Sequence, residues 1–414
     1  MRKLTLLTSF TLCGLAATAV ANGFNVNEFD GKATGRGDAE AATDTDASSI
    51  YFNVGGLPVA SGTQVMIGGS LIAPSASFTD ATTGTKTDST TSPQVIPGVF
   101  ISSKLNKLVA VGVGFYTPFG LALSWPAGAQ TNDVVSSEAL RAYFITPSVG
   151  LDLDSYVPGL SVGAGVDLVP ATVELHQDIY FGTDRGNASL GGSAFGVGAR
   201  VGAMYRPAKL RQLSIGAMWR SEVKEDFTGT GDFNAPPPYR STLPPDGDIK
   251  TSVTLPQSVT FGASYQPTSA FDIEADLVWM GWSTFKSLDI MMPTATGDMT
   301  ISSSAENYKD TWTVRAGAEY KFEKQGAAVR AGFIYDPTPV PASTLTVQLP
   351  DVDRYDVTVG GSMRFSNYDI HLGLLWVLPT KRTTGADLNM PEYKGTFDIQ
   401  AFVASLSLAG RFGQ

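Results

Sequence analysis

Tyr355-Asp356-Val357-Thr358-Val359-Gly360-Gly361-Ser362-Met363-Arg364-Phe365-Ser366 decides the fold class of this 414-residue chain. Tyr355, Val357, Val359, Gly361, Met363 and Phe365 share one face of an extended segment. Asp356, Thr358, Gly360, Ser362, Arg364 and Ser366 share the other, because successive side chains of a strand point to opposite faces. The same period of two returns elsewhere. Val314, Ala316, Ala318 and Tyr320 oppose Thr313, Arg315, Gly317 and Glu319, while Ile273, Ala275, Leu277 and Trp279 oppose Asp272, Glu274 and Asp276. Phe195, Val197, Ala199, Val201, Ala203 and Tyr205 oppose Gly196, Gly198, Arg200, Gly202 and Met204. Each segment has one face suited to lipid and one that wants water or polar neighbours.

Alternation of this kind predicts strands near 64–78, 94–103, 108–125, 138–152, 160–178, 190–206, 212–229, 249–266, 271–287, 308–322, 327–336, 353–366, 369–382 and 396–412. They number about fourteen, an even count that returns both chain ends to one side of a membrane. The expected fold class is all-β, a transmembrane antiparallel β-barrel of about 14 strands in a bacterial outer membrane, because hydrocarbon admits only backbone whose amides are paired within helices or an edgeless sheet. Ser102 to Lys107, Arg206 to Arg211, Gln266 to Ala270, Phe322 to Gly326 and Ser366-Asn367 are tight and read as periplasmic turns. The long connections 79–93, 126–137, 229–248, 288–307, 337–352 and 383–395 read as extracellular loops. Tyr205, Trp219, Tyr265, Trp279, Trp282, Tyr320, Tyr335 and Trp376, near strand ends, suit either the two interfacial aromatic girdles or interior packing.

Met1 to Ala21 reads as a secretory signal, with Arg2 and Lys3 at its start, the apolar run Leu4 to Val20, and the small-residue site Ala19-Val20-Ala21. Lipidation at Cys13 is the competing reading, opposed by the short apolar run before it and by Phe10-Thr11-Leu12, where small residues are favoured. Cleavage after Ala21 removes the single cysteine, so the mature chain forms neither a disulfide nor a thiolate site. It also removes two of the 29 basic residues against 39 acidic ones, leaving a net charge of −12 that argues against nucleic acid as a partner. The chain is 43% apolar with near-neutral mean hydropathy, as expected where apolar residues take every second position.

Three places depart from period two. Asn22 to Ala60, rich in Gly, Ala, Asp and Thr, is too long for a leader to the first strand. It is expected to plug the lumen, the other reading being a disordered periplasmic tail. The expected division is thus signal peptide 1–21, plug 22–60 and barrel 61–414. Gly120 beside Pro118 weakens the ladder of its strand and invites a bulge or kink. Between Val403 and Leu406 the alternation slips, which predicts a second bulge. Phe412 takes the place of the terminal aromatic that barrel assembly reads, with Gly413 and Gln414 beyond it.

Asn22-Gly23-Phe24-Asn25-Val26-Asn27-Glu28-Phe29, Gly35-Arg36-Gly37-Asp38-Ala39-Glu40, Asp44-Thr45-Asp46-Ala47-Ser48 and Asn53-Val54-Gly55-Gly56-Leu57 follow one another at the N-terminus. Phe119-Gly120-Leu121, Leu255-Pro256-Gln257-Ser258, Trp282-Ser283-Thr284-Phe285, Tyr308-Lys309-Asp310-Thr311-Trp312, Tyr335-Asp336-Pro337-Thr338-Pro339-Val340-Pro341 and Asp353-Arg354-Tyr355 follow along the barrel. In this order the chain resembles the FadL family, outer-membrane transporters of long-chain fatty acids and other hydrophobic compounds. Val54 and Gly55 depart from the Pro-Ala that usually follows the family's Asn at the position of Asn53.

The resemblance implies a fourteen-stranded barrel with an N-terminal hatch, and passive uptake without a cofactor or metal. A ligand would bind near Phe24, Val26 and Phe29, hatch residues Asn22, Gly23, Asn53, Val54 and Gly55 would move, and release would follow through a lateral opening at Phe119 and Gly120. Read from the residues alone, Phe24 is plug packing and Gly120 a tolerated strand glycine. The implied partners are the hydrophobic ligand, outer-membrane lipid and lipopolysaccharide, and the barrel assembly machinery, with the protein a monomer. Fatty-acid carriers of the family have luminal basic residues, where this chain has Gln177 and Ser304. His176 and Lys309 lie close by as candidate ligand-binding substitutes; without them the cargo is neutral, such as an aromatic hydrocarbon, alkane or terpenoid.

A general diffusion porin is the alternative, sharing the barrel and the acidity but leaving its lumen open. An enzyme is not expected, since neither His176 nor His371 stands in a recognisable serine motif. Asp44 with Asp46, and Asp351 with Asp353, lack the fuller oxygen pattern of a calcium loop, so no metal is expected.

Overall fold

Strands whose polar and apolar residues alternate can bury only one face in lipid, and closing the sheet removes its edges. The structure, a computed structural model, describes residues 23–388 and 393–413; the expected signal sequence, Asn22, 389–392 and Gln414 lie outside the described residues. In chain order the strands are β1 (Thr63–Asp80), β2 (Lys86–Asp88), β3 (Gln94–Lys104), β4 (Val109–Ser124), β5 (Ser137–Asp152), β6 (Leu160–Phe181), β7 (Asp184–Tyr205), β8 (Leu213–Arg220), β9 (Val223–Asn234) and β10 (Gly247–Leu255). They continue as β11 (Ser258–Thr268), β12 (Phe271–Met280), β13 (Ser287–Thr294), β14 (Gly297–Ala305), β15 (Thr311–Phe322), β16 (Ala327–Asp336), β17 (Arg354–Phe365), β18 (Tyr368–Thr383) and β19 (Gly395–Phe412).

β1 and β19 pair from Thr63 with Phe412 to Asp80 with Gly395, closing the ring. β8 with β9, β10 with β11, β12 with β13, and β14 with β15 are single staves interrupted midway, and β2 is a short loop strand, so the barrel has 14 antiparallel staves. The interruptions lie side by side, since Ser258 pairs with both Arg220 and Met280, and Met280 with Thr311. Pro256 explains one of them, as it has no amide to give to a ladder.

Two expectations change. Residues 288–307 form the β13–β14 hairpin rather than a loop, with Thr294 opposite Gly297. No bulge lies between Val403 and Leu406, for β19 stays in register with both β1 and β18 there. Val403 is an apolar residue on the inner face, buried in the core, and this made the pattern look slipped. The bulge at Gly120 and Pro118 is present, as a register shift between Tyr116 and Phe119 of β4.

Ile67, Leu71, Val111, Val197, Phe261, Val314, Val357, Leu372, Leu406 and Leu408 are exposed on the outer face. The inner face carries polar side chains, and several of them bond to residues 23–62, which run inside the ring. Helix α1 (Gly31–Thr34) is held by β19: the Ser407 hydroxyl donates to Asp30 at 2.6 Å and the Ser405 hydroxyl to the Thr34 hydroxyl at 2.9 Å. The Glu40 and Ala41 amides donate to Asp276 of β12 at 3.0 and 3.1 Å, and Arg36 pairs with Asp272. Arg200 of β7 donates to the Ile50 carbonyl of helix α2 (Ser49–Phe52) at 2.7 Å while its Nη2 lies 2.8 Å from Asp167. A buried backbone left unpaired is costly, and here the barrel wall supplies the partners.

Glycines on that inner face let the two backbones touch. A Cβ on Gly216 would stand 1.8 Å from the Ala41 carbonyl oxygen, and one on Gly163 2.2 Å from that of Val54. Gly216→Val is therefore expected to weaken the docking of residues 23–62 by about 1–3 kcal/mol. The check is limited proteolysis, which should cut that segment faster while heat-dependent electrophoretic mobility shows an intact barrel.

Candidate functional site

Beyond α1 and α2, on the side of the long connections, the polar inner face gives way to apolar residues. Leu121 of β4, Leu140 of β5, Val173 and Leu175 of β6, Phe227 of β9, Ile249 and Val253 of β10, and Ile290 of β13 line a cavity. Its apolar lining suits a hydrophobic molecule. Phe24 forms part of its wall, with Trp282 edge-on at 4.8 Å and Phe285 at 5.7 Å. No Lys, Arg or His is among the described residues lining it; the acids Glu138 and Glu174 are.

Below the N-terminal segment the space is different. A vestibule at the short-turn end is lined by Lys32, Arg36, Arg206, Arg211, Asp272, Glu319, Arg330, Asp369 and His371, among others. A hydrophobic molecule gains nothing by entering it.

The wall opens beside the apolar cavity. β3 and β4 pair only from Lys104 with Ala110 to Gly98 with Tyr116, and above Tyr116 no strand pairing to β3 continues among the described residues. The Thr90 amide donates to the Ser124 carbonyl at 2.8 Å and closes the gap from above. From inside, residues 24–26 take the missing strand's place. The Gly120 amide donates to Phe24 O, and Val26 N and Asn25 Nδ2 both donate to Pro118 O, all at 2.9 Å. A smaller cavity, lined by Pro74, Ala76, Thr91, Ala122 and Gly23, lies at this gap. Leu121 and Leu349 belong to the walls of both cavities.

Of the residues singled out by sequence, Gly23, Phe24, Val26, Phe119 and Gly120 meet at the gap. Phe29 packs lower, against Tyr51 and Tyr116 at 4.7 and 5.6 Å. Asn53, Val54 and Gly55 lie lower still, at the wall of β6 and β7. There Asn53 donates to the Ala41 and Ala203 carbonyls at 2.6 and 3.0 Å, and the Gly55 amide donates back to Asn53 at 3.0 Å. Asn22 lies outside the described residues. His176 and Lys309 are corrected: both are exposed and neither lines the cavity. His176 points out of the barrel, its Nδ1 2.9 Å from the Ser189 hydroxyl. Gln177 donates to Asp133 O at 2.6 Å and Ser304 to Glu306 at 3.0 Å. Trp282, a girdle candidate in the sequence, is fully buried against Phe24, and Asp44 and Asp46 clasp the Lys32 ammonium at 2.9 and 2.7 Å. The wall residues Leu121, Leu140 and Phe227 were missed; the loss of alternation in Gly120-Leu121-Ala122-Leu123 was their one signal.

Asp351, in the loop after β16, accepts from the Gly23 amide at 3.2 Å and the Thr338 hydroxyl at 2.7 Å. Burial pushes its carboxyl up to about 7, against those hydrogen bonds and the Arg382 charge. The folded protein thus holds a proton there that the unfolded chain releases near pH 4, so stability from this group is full at low pH and lost as pH rises towards 7. Asp351→Asn, which keeps the neutral shape, is expected to be more stable than the parent at pH 8 by roughly 2–4 kcal/mol and equal to it near pH 4. Urea unfolding at the two pH values measures this.

A profile of the family described as outer membrane protein transport protein (OMPP1/FadL/TodX) matches residues 12–412. The chain is 23% identical over 390 residues to the long-chain fatty acid transport protein of Salmonella typhi, covering 85% of this chain and 86% of that protein. It is 25% identical over 402 residues to a 47 kDa outer membrane protein of Pasteurella multocida, covering 92% of each. Among solved structures, a Pseudomonas aeruginosa FadL homologue superposes with a TM-score of 0.82 at 18% identity, over 94% of this chain and 100% of that one. The P. putida toluene transporter TodX gives 0.73 at 18% identity, over the same shares. With a matching profile over nearly its whole length and the closed 14-stave barrel just described, this chain belongs to the OMPP1/FadL/TodX family of outer-membrane transporters of fatty acids and hydrophobic aromatics.

Proposed function

We propose that the protein takes up neutral hydrophobic small molecules passively, from the extracellular side into the apolar cavity and then sideways through the wall between β3 and β4. The observation that carries this reading is the join between cavity and gap. The gap is backed by residues 24–26, and the same Phe24 forms part of the cavity wall. Withdrawal of residues 23–26 frees the Pro118 and Gly120 backbone groups and joins the two cavities past Leu121 and Leu349. The exit then faces hydrocarbon, where an apolar cargo is stable, while the polar vestibule below offers no competing route. The cavity lining holds no cation to receive a carboxylate, which favours a neutral cargo over a fatty acid. On this reading residues 22–60 act as a hatch, and the protein works as a monomer, inserted by the barrel assembly machinery among outer-membrane lipid and lipopolysaccharide.

Asn25 and Phe119 face each other as an antiparallel bridge, close enough for a disulfide. The double substitution Asn25→Cys with Phe119→Cys should, when oxidised, lower uptake of a radiolabelled aromatic hydrocarbon by about tenfold or more, with recovery on reduction. Full uptake by the oxidised protein would overturn the route. A second check separates the porin alternative: planar-bilayer recordings should show little steady ion current, whereas a large open-channel conductance would favour a porin.

A further inference from the structure

We propose that Glu138 makes the apolar cavity selective for hydrophobic molecules bearing a hydroxyl donor, alkylphenols above all. The inference rests on reading this cavity as the cargo site. Glu138 opens β5 on the inner face, in line with Leu140, Ala142 and Phe144, and pairs across the sheet with Leu123 and Leu175. It is buried, and its Oε1 has no hydrogen-bond partner. Among the described residues, the Gln348 amide is the donor beside its carboxyl.

Among the described residues none offers Glu138 a compensating charge. Glu174, the other acid of the lining, is paired with Arg141 at 3.1 Å. Glu306, the charged group acting on it, is itself an acid and accepts from Ser304. The Arg382 guanidinium is spent on the Thr338 hydroxyl and on the Asp351 and Val340 carbonyls. Thr251, a hydroxyl of the lining, donates to Asp289 O at 2.8 Å. A buried acceptor without a donor in an otherwise apolar wall is a site that a ligand O–H completes. A pure hydrocarbon leaves it unmet, and a carboxylate finds no cation in the described lining to offset its loss of hydration. An alkylphenol supplies the donor and fills the remaining space with ring and chain.

The test uses the full-length barrel in detergent, with propylbenzene, 4-propylphenol and 4-propylbenzoate competing against a radiolabelled aromatic hydrocarbon. The phenol is expected to bind about tenfold more tightly than propylbenzene, and the benzoate not to compete. Glu138→Leu should bring phenol and propylbenzene to within about twofold of each other while propylbenzene still binds. Heat-dependent mobility confirms that each variant is folded. Equal wild-type affinity for phenol and propylbenzene, or a phenol preference that survives Glu138→Leu, overturns the role of Glu138 and leaves the hydrophobe site standing. Failure of all three compounds and of the labelled hydrocarbon to bind would instead overturn the cargo reading beneath it.

Discussion

In hydrocarbon every backbone amide needs a partner, and a closed antiparallel ladder is the way a strand chain provides one. The barrel meets this requirement by pairing β1 with β19 along their whole length and by pairing each stave with its neighbours. Where β3 and β4 part above Tyr116, the requirement is met from within instead, by Phe24, Asn25 and Val26. The rest of the molecule depends on that substitution. A segment can stand in for a wall strand only if it is held near the wall, and the inner faces of β6, β7, β12 and β19 do the holding.

The lumen is accordingly built in two chemistries. Its lower half is a lattice of donors and acceptors, Asp30 with Ser407, Asp276 with the Glu40 and Ala41 amides, Arg200 with Ile50, that fixes residues 27–62 through many bonds. Its upper half has few polar groups, so residues 23–26 are held mainly by three bonds to β4, one to Asp351, and aromatic packing. Each hydrogen bond contributes on the order of 1 kcal/mol net. The tip of the segment is therefore far less firmly attached than its body, and local opening draws on the weakly held end first.

Much of this was legible in the sequence, and the failures have physical causes. Period two revealed the staves because lipid demands an apolar residue at every outward position, as β17 shows. The demand disappears on the inner face, where Val403 packs against other core residues and counterfeits a bulge. It also disappears beyond the hydrocarbon, where parity no longer marks inside from outside; His176 thus lies on the outer side of β6, and Lys309 falls exposed in the break before β15. Trp282 stayed open between girdle and interior for a different reason. An aromatic near a strand end suits either place until the strand is known to break, and the break between β12 and β13 is what turns it inward.

Those breaks are better understood together than singly. Four adjoining staves are interrupted at one level, at Ser221-Glu222, Pro256-Gln257, Gly281 to Lys286 and Glu306 to Asp310. An isolated break would leave unpaired amides facing an intact neighbour, whereas breaks in register let the sheet step as a unit, with Gly281 N donating to Gln257 O at 3.0 Å across it. The step admits Trp282, Phe285 and Tyr308 to the lumen, with rings 5.0 to 5.8 Å apart where they meet, opposite the gap beside β4. Phe24 sits between the two irregularities, touching Phe119 on one side and Trp282 on the other. The departure of one wall from regular geometry thus shapes the surface against which the other wall's opening is closed.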